Sequence, residues 1–572
     1  MESSTRWSTA FMSGERAVVL LFISRVLCSL PLSLLPHGLS LSLLSLFALF
    51  IEIRADNSPL LSPFKTRPGA SSGIMLGAVT LPTVMLSKLI QLSRAFSLQQ
   101  IDIGELEHMT MQYWATSASC CAVLVFLCLV MWFPRNNAHP PCFYSAWDAK
   151  FSIICMVLYG AICCVSLATI SQTSLNTALK SLWLLCHGFA AVKLIQHLLN
   201  TFPSCASMGE ALLATSGLVL FFGDMLACTI AKFFGLLIST DFVSIQYGIK
   251  RSEISIFIQG LLLGLLMLPV VFKAILRIWE YSYGTGHSEG RKHREIGKSV
   301  IFFASLGFIM MVVAPSWMKS VQDFNVHPLL WVFKFVLSEP FKRLSLCIYW
   351  VAVICASVVR FYNISKNSKI ERILLRKYYH LMAVSMFLPA LIYQPEFLDL
   401  AFGAALGVFL VLEIIRVWRI WPLGQLVDQF MNAFTDHRDS DLLIVSHFSL
   451  LLGCALPIWM SSGFNDRPLV PFAGILSLGI GDTMASMVGH KYGVLRWSKT
   501  GKKTIEGTAA GITSVLAACS VLLPLLASTG YIFTQHWFSL LIAVTTSGLL
   551  EAYTAQLDNA FMPLVFYSLL CL

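Results

Sequence analysis

The chain has 572 residues, of which 56% are hydrophobic and only 12% charged, against about 25% charged in an ordinary soluble domain. With a mean hydropathy of +0.74, this composition excludes a water-soluble globular enzyme, a disordered chain and a nucleic-acid-binding domain, and no nucleic-acid partner is expected. The formal charge of +10 is spread over several short loops, so it reads as a topology signal and not as one docking patch.

A short polar N-terminus (MESSTRWSTAFMSGER) precedes an apolar run from Ala17. Another run follows almost at once, so the first is expected to be an uncleaved span and not a signal peptide. Further runs lie near 38–52, 73–92, 114–133, 151–171, 179–198, 210–238, 253–276, 299–317, 344–360, 381–394, 398–415, 442–461, 469–488, 508–528, 536–550 and 560–572. Allowing for re-entrant segments, the expected fold is an all-α, polytopic integral membrane protein of about 13 to 17 transmembrane helices embedded in the lipid bilayer. The stretch 318–343 is amphipathic and proline-broken, and its reading as surface or span stays open. Most of the 16 cysteines fall in apolar runs and none forms a CxxC pair, so they read as small core hydrophobes without a metal or disulfide framework.

After residue 276, two spans separate each basic loop from the next. The loops at 277–298, 361–378, 416–441 and 489–507 then share one side, while the opposite loops at 395–397, 462–468 and 529–535 hold only Arg467. By the positive-inside rule the basic side is cytosolic. The sequon Asn363-Ile364-Ser365 falls on that side against the membrane, so it is expected to carry no glycan. A glycosidase-sensitive mobility shift traced to Asn363 would invert this topology.

The densest polar stretch is GDTMASMVGHKYGVLRWSKTGKKTIEGTAAG, residues 481–511. Asp482, Ala485, Gly489 and Gly493 share one helix face. Such a small-residue stripe lets a ligand or another backbone come close, and Gly489-x3-Gly493 is equally a helix-packing motif. Beyond it, Lys502, Lys503, Thr504, Glu506 and Gly507 collect two cations, a hydroxyl, a carboxylate and a flexible backbone. Polyphosphate binding calls for such a set, although a solvated basic loop that only anchors topology has the same residues. A Walker A loop does not occur here. Asp482 within a span is functional by default, because an intramembrane carboxylate is costly.

The full pattern D-x2-A-x3-G-x3-G-x8-K-K-T-x-E-G, carried by Asp482 through Gly507, resembles the CTP-binding signature of the polyprenol kinase family. Arg376, Lys377 and His380 in RKYYH, Asp436, Arg438 and Asp439 in TDHRDSD, His447, and Glu551, Asp558, Asn559 and Pro563 in EAYTAQLDNAFMP resemble further blocks of that family. The resemblance covers about 370–572. It divides the chain into a multi-span N-terminal region, 1–360, and a CTP-dependent catalytic membrane region, 361–572. Within the family, that long extension favours the members acting on dolichol over those acting on phytol or farnesol.

The resemblance implies transfer of the γ-phosphoryl group of CTP to a polyprenol hydroxyl with a divalent metal, expected to be Mg2+. For dolichol the product is dolichyl phosphate, used in protein glycosylation at the endoplasmic reticulum membrane, with the site facing the cytosol. In this scheme Lys502 and Lys503 hold the triphosphate, Gly489, Gly493 and Gly507 give it room, and Thr504 adds a hydroxyl contact. Asp482 and Asp558 are the metal-ligand candidates, with Glu506 and Glu551 in reserve, and His447 or Asp439 accepts the acceptor's proton. A cytidylyltransferase acting at the α-phosphate and a secondary transporter remain as alternatives. The transporter reading draws on a weaker echo, GDMLACTIAKFFG at 223–235, in which Asp224 is expected chiefly to pair with a neighbouring helix.

Overall fold

The computed structural model describes residues 13–56, 71–133, 146–170, 174–202, 205–237, 251–283, 291–367, 372–432, 445–497, 503–528 and 537–572. Among them there is no strand, only an isolated bridge between Arg496 and Thr504. In order, the helices are α1 Gly14–Cys28, α2 Leu35–Asp56, α3 Ile74–Ser97, α4 Ile103–Trp132, α5 Ala146–Ile170, α6 Ser174–Thr201, α7 Met208–Leu237, α8 Glu253–Tyr283, α9 Arg291–Phe308, α10 Ala314–Val321, α11 Pro328–Ser338 and α12 Pro340–Asn367. They continue with α13 Arg372–Tyr393, α14 Pro395–Trp418, α15 Gly424–Asn432, α16 Val445–Ser461, α17 Thr483–Tyr492, α18 Ile505–Ser528, α19 Trp537–Tyr553 and α20 Asp558–Leu570.

Among the described residues, eleven helices are long and apolar enough to cross a membrane, and three shorter apolar ones accompany them. The protein is therefore an all-α, polytopic membrane protein. Several expected runs fall short of a full span: α1 has 15 residues, α19 has 17 and α20 has 13. The run at 469–488 is broken into a 3-10 turn (Val470–Phe472), a π-helical segment (Ile475–Asp482) and α17. Short or irregular backbone at membrane depth is tolerated only when protein surrounds it. Within 318–343 lie the end of a candidate span that runs Arg294–Val321 through α9 and α10, the 11-residue α11, and the start of the span in α12; α11 alone is too short to cross. No disulfide joins the cysteines among the described residues.

The chain forms two compact units. One comprises 1–224, 361–388 and 452–572, and the other 225–360 and 389–451. In the first, α3 is the central post, buried along its whole apolar window against α1, α2, α4 and α20. A helix apolar all round needs such enclosure, and Ser87 of α3 hydrogen-bonds Ser568 of α20 at 2.6 Å. Asp224, the carboxylate of the 223–235 echo, accepts a 3.0 Å hydrogen bond from Gln112 of α4, the neighbouring-helix pairing expected of it. In the second unit α8 packs on α14, where Gly403 and Gly407 admit the side chains of Ile258 and Leu261. Its core joins Leu268, Phe272, Phe302, Ile309 and Ile415.

Candidate active site

The candidate site lies within the first unit, around Asp482. The segment leading to it winds as a π-helix, Ile475–Asp482, a form frequent at functional sites. The sequence of this segment alternates bulky and small residues, and Gly479 lets α13 come close: a Cβ there would lie 2.2 Å from Val384 Cγ2. That approach brings in Lys377 and His380, three apart on one face of α13. Lys377 Nζ donates to Asp482 Oδ2 in a direct ion pair, and His380 Nδ1 lies 3.3 Å from the same oxygen. All three are enclosed, with side-chain exposures of 16%, 8% and 5% for Lys377, His380 and Asp482. A charge so placed needs a partner, and Lys377 and Asp482 supply one to each other.

Beyond Asp482 the small-residue stripe is packed against α18. A Cβ on Gly507 would lie 2.6 Å from the carbonyl oxygen of Ala485, and one on Gly489 would lie 2.9 Å from Thr504 Oγ1. Gly493 faces the Gly489 carbonyl and the Thr504 methyl. The glycines expected to admit a nucleotide thus spend their missing side chains on a close contact between α17 and α18. Replacing Gly507 by valine is expected to force these helices apart and lower the melting temperature of the solubilised protein by several degrees; an unchanged melting temperature would show that the contact is loose.

Thr504 and Glu506, also expected at the triphosphate, engage the chain's own backbone. Thr504 Oγ1 accepts from Gly507 N at 3.2 Å, which caps the first turn of α18. Glu506 accepts from Leu495 N at 3.0 and 3.2 Å. Together with the Arg496–Thr504 bridge, these bonds tie residues 495–496 to the start of α18.

Lys503 points the other way. Its ammonium donates to the Glu551 carbonyl oxygen and reaches both Asp558 carboxylate oxygens at 3.3 and 3.4 Å. Burial works against its charge, but Asp558, Glu551 and Asp482 outweigh that and hold it above the ordinary lysine range. Asp558 opens α20, where the helix dipole favours a carboxylate. The Glu551 side chain is buried and borders a cavity of about 20 Å³ with Ser477, Gly481 and Ser547, room for about one water. Glu551 is within electrostatic reach of Lys503, Asp482, Asp558 and Lys377.

Residues scattered from 377 to 558 therefore converge as alternating cations and carboxylates. Lys377 and His380 were visible in sequence only as part of RKYYH; their role as direct partners of Asp482 had no signal beyond their spacing. Lys502, Asp436, Arg438 and Asp439 lie outside the described residues, and His447 is described only as helical backbone in α16. Among the described residues no group of three His, Cys, Asp or Glu side chains is arranged to hold a metal ion.

Fold and site define a membrane-embedded protein with a cluster of alternating cations and carboxylates, and comparison with known proteins narrows the class. A family model described as dolichol kinase matches residues 184–460. The chain is 68% identical over 566 residues to dolichol kinase EVAN of Arabidopsis thaliana, covering 99% of each chain. It is 32% identical over 389 residues to the dolichol kinase of Homo sapiens, covering 65% of this chain and 66% of that one. No solved structure matches. The chain belongs to the dolichol kinase family.

Proposed function

We propose that this protein is a kinase that transfers the γ-phosphoryl group of CTP to the hydroxyl of dolichol, giving dolichyl phosphate and CDP for protein glycosylation. The reading places it in the endoplasmic reticulum membrane with its site facing the cytosol. Family membership supports the acceptor, and the D-x2-A-x3-G-x3-G-x8-K-K-T-x-E-G signature supports the donor. The observation that carries the site is the cluster of Lys377, His380, Asp482, Lys503, Glu551 and Asp558.

Phosphoryl transfer needs in-line approach and charge neutralisation more than covalent chemistry from the protein. Lys503, with Lys502 beside it in sequence, would neutralise the triphosphate. Asp482 would hold Lys377 charged and oriented toward the same anion. The donor set suits a Mg2+ ion carried in on nucleotide phosphates, since such an ion takes one or two carboxylates and completes its shell with phosphate and water. Asp558, 28% exposed at its side chain, would provide one carboxylate and Asp482 the other. An ion held by these carboxylates would supply positive charge to offset that developing on the transferred group. Asp439 and His447 are the proposed acceptors of the dolichol proton, and the lipid would enter from the bilayer.

Membranes holding the full chain should be incubated with γ-labelled CTP, Mg2+, dolichol and phytol. Label on dolichol is the expected result. Pyrophosphate release with cytidylate in lipid would replace this reading by a cytidylyltransferase, and label on phytol alone would change the acceptor.

A further inference from the structure

The loop that delivers Asp558, residues 554–557, is built on elements from the far N-terminal part of the chain. α7 starts with a reciprocal capping box: Ser207 Oγ accepts from Glu210 N at 3.1 Å, and Glu210 Oε2 accepts from Ser207 N at 2.9 Å. A capping box leaves the second carboxylate oxygen open to water. Here Glu210 Oε1 accepts instead from Leu557 N at 2.6 Å. Leu557 is the N-cap of α20 and has no side-chain oxygen to order that turn itself.

The same box holds the preceding residue. Ser207 Oγ donates to Gln556 Oε1, and Gln556 Nε2 donates to the Ser71 carbonyl oxygen at 3.1 Å. Gly73, at φ +67°, passes so close that a Cβ would lie 2.4 Å from Gln556 Cδ, which only glycine permits. Ser71 also donates to Glu15 at 3.0 Å. Glu210, Gln556 and Ser207 are exposed by only 8%, 2% and 1%.

We infer that Glu210, acting with Ser207 through Gln556 and Leu557, is a positioning residue that fixes Asp558 at Lys503. The inference rests on the assignment of Asp558 to the reaction under the proposed function. It also gives the N-terminal region a role in the reaction, because its helix ends form the seat of the acidic loop.

The test measures kcat and KM for CTP, with dolichol as acceptor, on the solubilised full chain. Glu210→Ala is expected to lower kcat/KM about 10- to 100-fold, the scale for a displaced reacting group. Glu210→Gln can keep an acceptor oxygen for Leu557 N only by turning its amide nitrogen on Ser207 N, and is expected to lose less than Glu210→Ala, within about 10-fold of the parent. In an Asp558→Ala background Glu210→Ala is expected to add less than about 3-fold, because its route to the reaction is already gone. An equal further loss in that background would overturn the inference in favour of a structural role, as would full activity in Glu210→Ala. If Glu210→Ala does not accumulate as folded protein, Ser207→Ala enters the same comparison with the same criteria. Full activity of Asp558→Ala alone would overturn the site assignment itself, a failure visible without any Glu210 variant.

Discussion

Asp482→Asn is expected to abolish phosphoryl transfer, lowering kcat by at least about 10³-fold, and to destabilise the protein as well. The asparagine keeps the shape but leaves the Lys377 ammonium enclosed without a counter-charge, which costs about 3–5 kcal/mol when one partner of a buried pair is removed. The two effects separate in the double variant Lys377→Met with Asp482→Leu. Removing both charges is expected to restore most of the stability, since well-packed apolar replacements of a buried pair are often neutral, while activity stays absent. Thermal unfolding of the solubilised protein and label transfer from CTP, read on the same preparations, decide it. If activity tracked only the folded fraction across these variants, Asp482 would be a structural anchor of α13.

The class of fold was legible because lipid is an unforgiving solvent: runs of apolar residues recur from Ala17 to Leu572 and have no other use. Span number was less so, since the segments around the site are short or irregular and are enclosed by protein. The π-turn that ends at Asp482 has no sequence signature that separates it from an α-helix. Asp482 and Lys503 stood out because intramembrane or clustered charge is costly and therefore meaningful. For the stripe Ala485, Gly489 and Gly493, the packing and ligand readings were both open on spacing, and the contacts with Thr504 and Gly507 show what the missing side chains accommodate. Glu210 and Gln556 lie hundreds of residues apart. Ser207-x2-Glu210 is a legible capping box, but nothing local says that its second oxygen will reach Leu557.

Lys503→Met is the converse case, a large loss of activity at little cost in stability. The Lys503 and Asp558 side chains are 31% and 28% exposed, and ion pairs that keep contact with solvent contribute at most about 1 kcal/mol. Methionine keeps most of the apolar stem, so α18 and its capped first turn should stay in place. The lost charge faces the proposed triphosphate, where removing one group that stabilises developing charge costs about 10² to 10³ in kcat. Arginine should rescue poorly, because its planar fork cannot reproduce one compact ammonium held between the Glu551 carbonyl and the Asp558 carboxylate. Neighbouring carboxylates hold Lys503 above the ordinary lysine range. It therefore stays charged until pH rises past that range, so any fall in the parent's activity just above neutrality belongs to another group and should keep its shape in the residual activity of Lys503→Met. A CTP titration of parent and variant, repeated across pH, checks both points. Unchanged CTP dependence would remove Lys503 from the nucleotide's path, and an alkaline limb present in the parent but lost in the variant would show that Lys503 titrates where its surroundings say it should not.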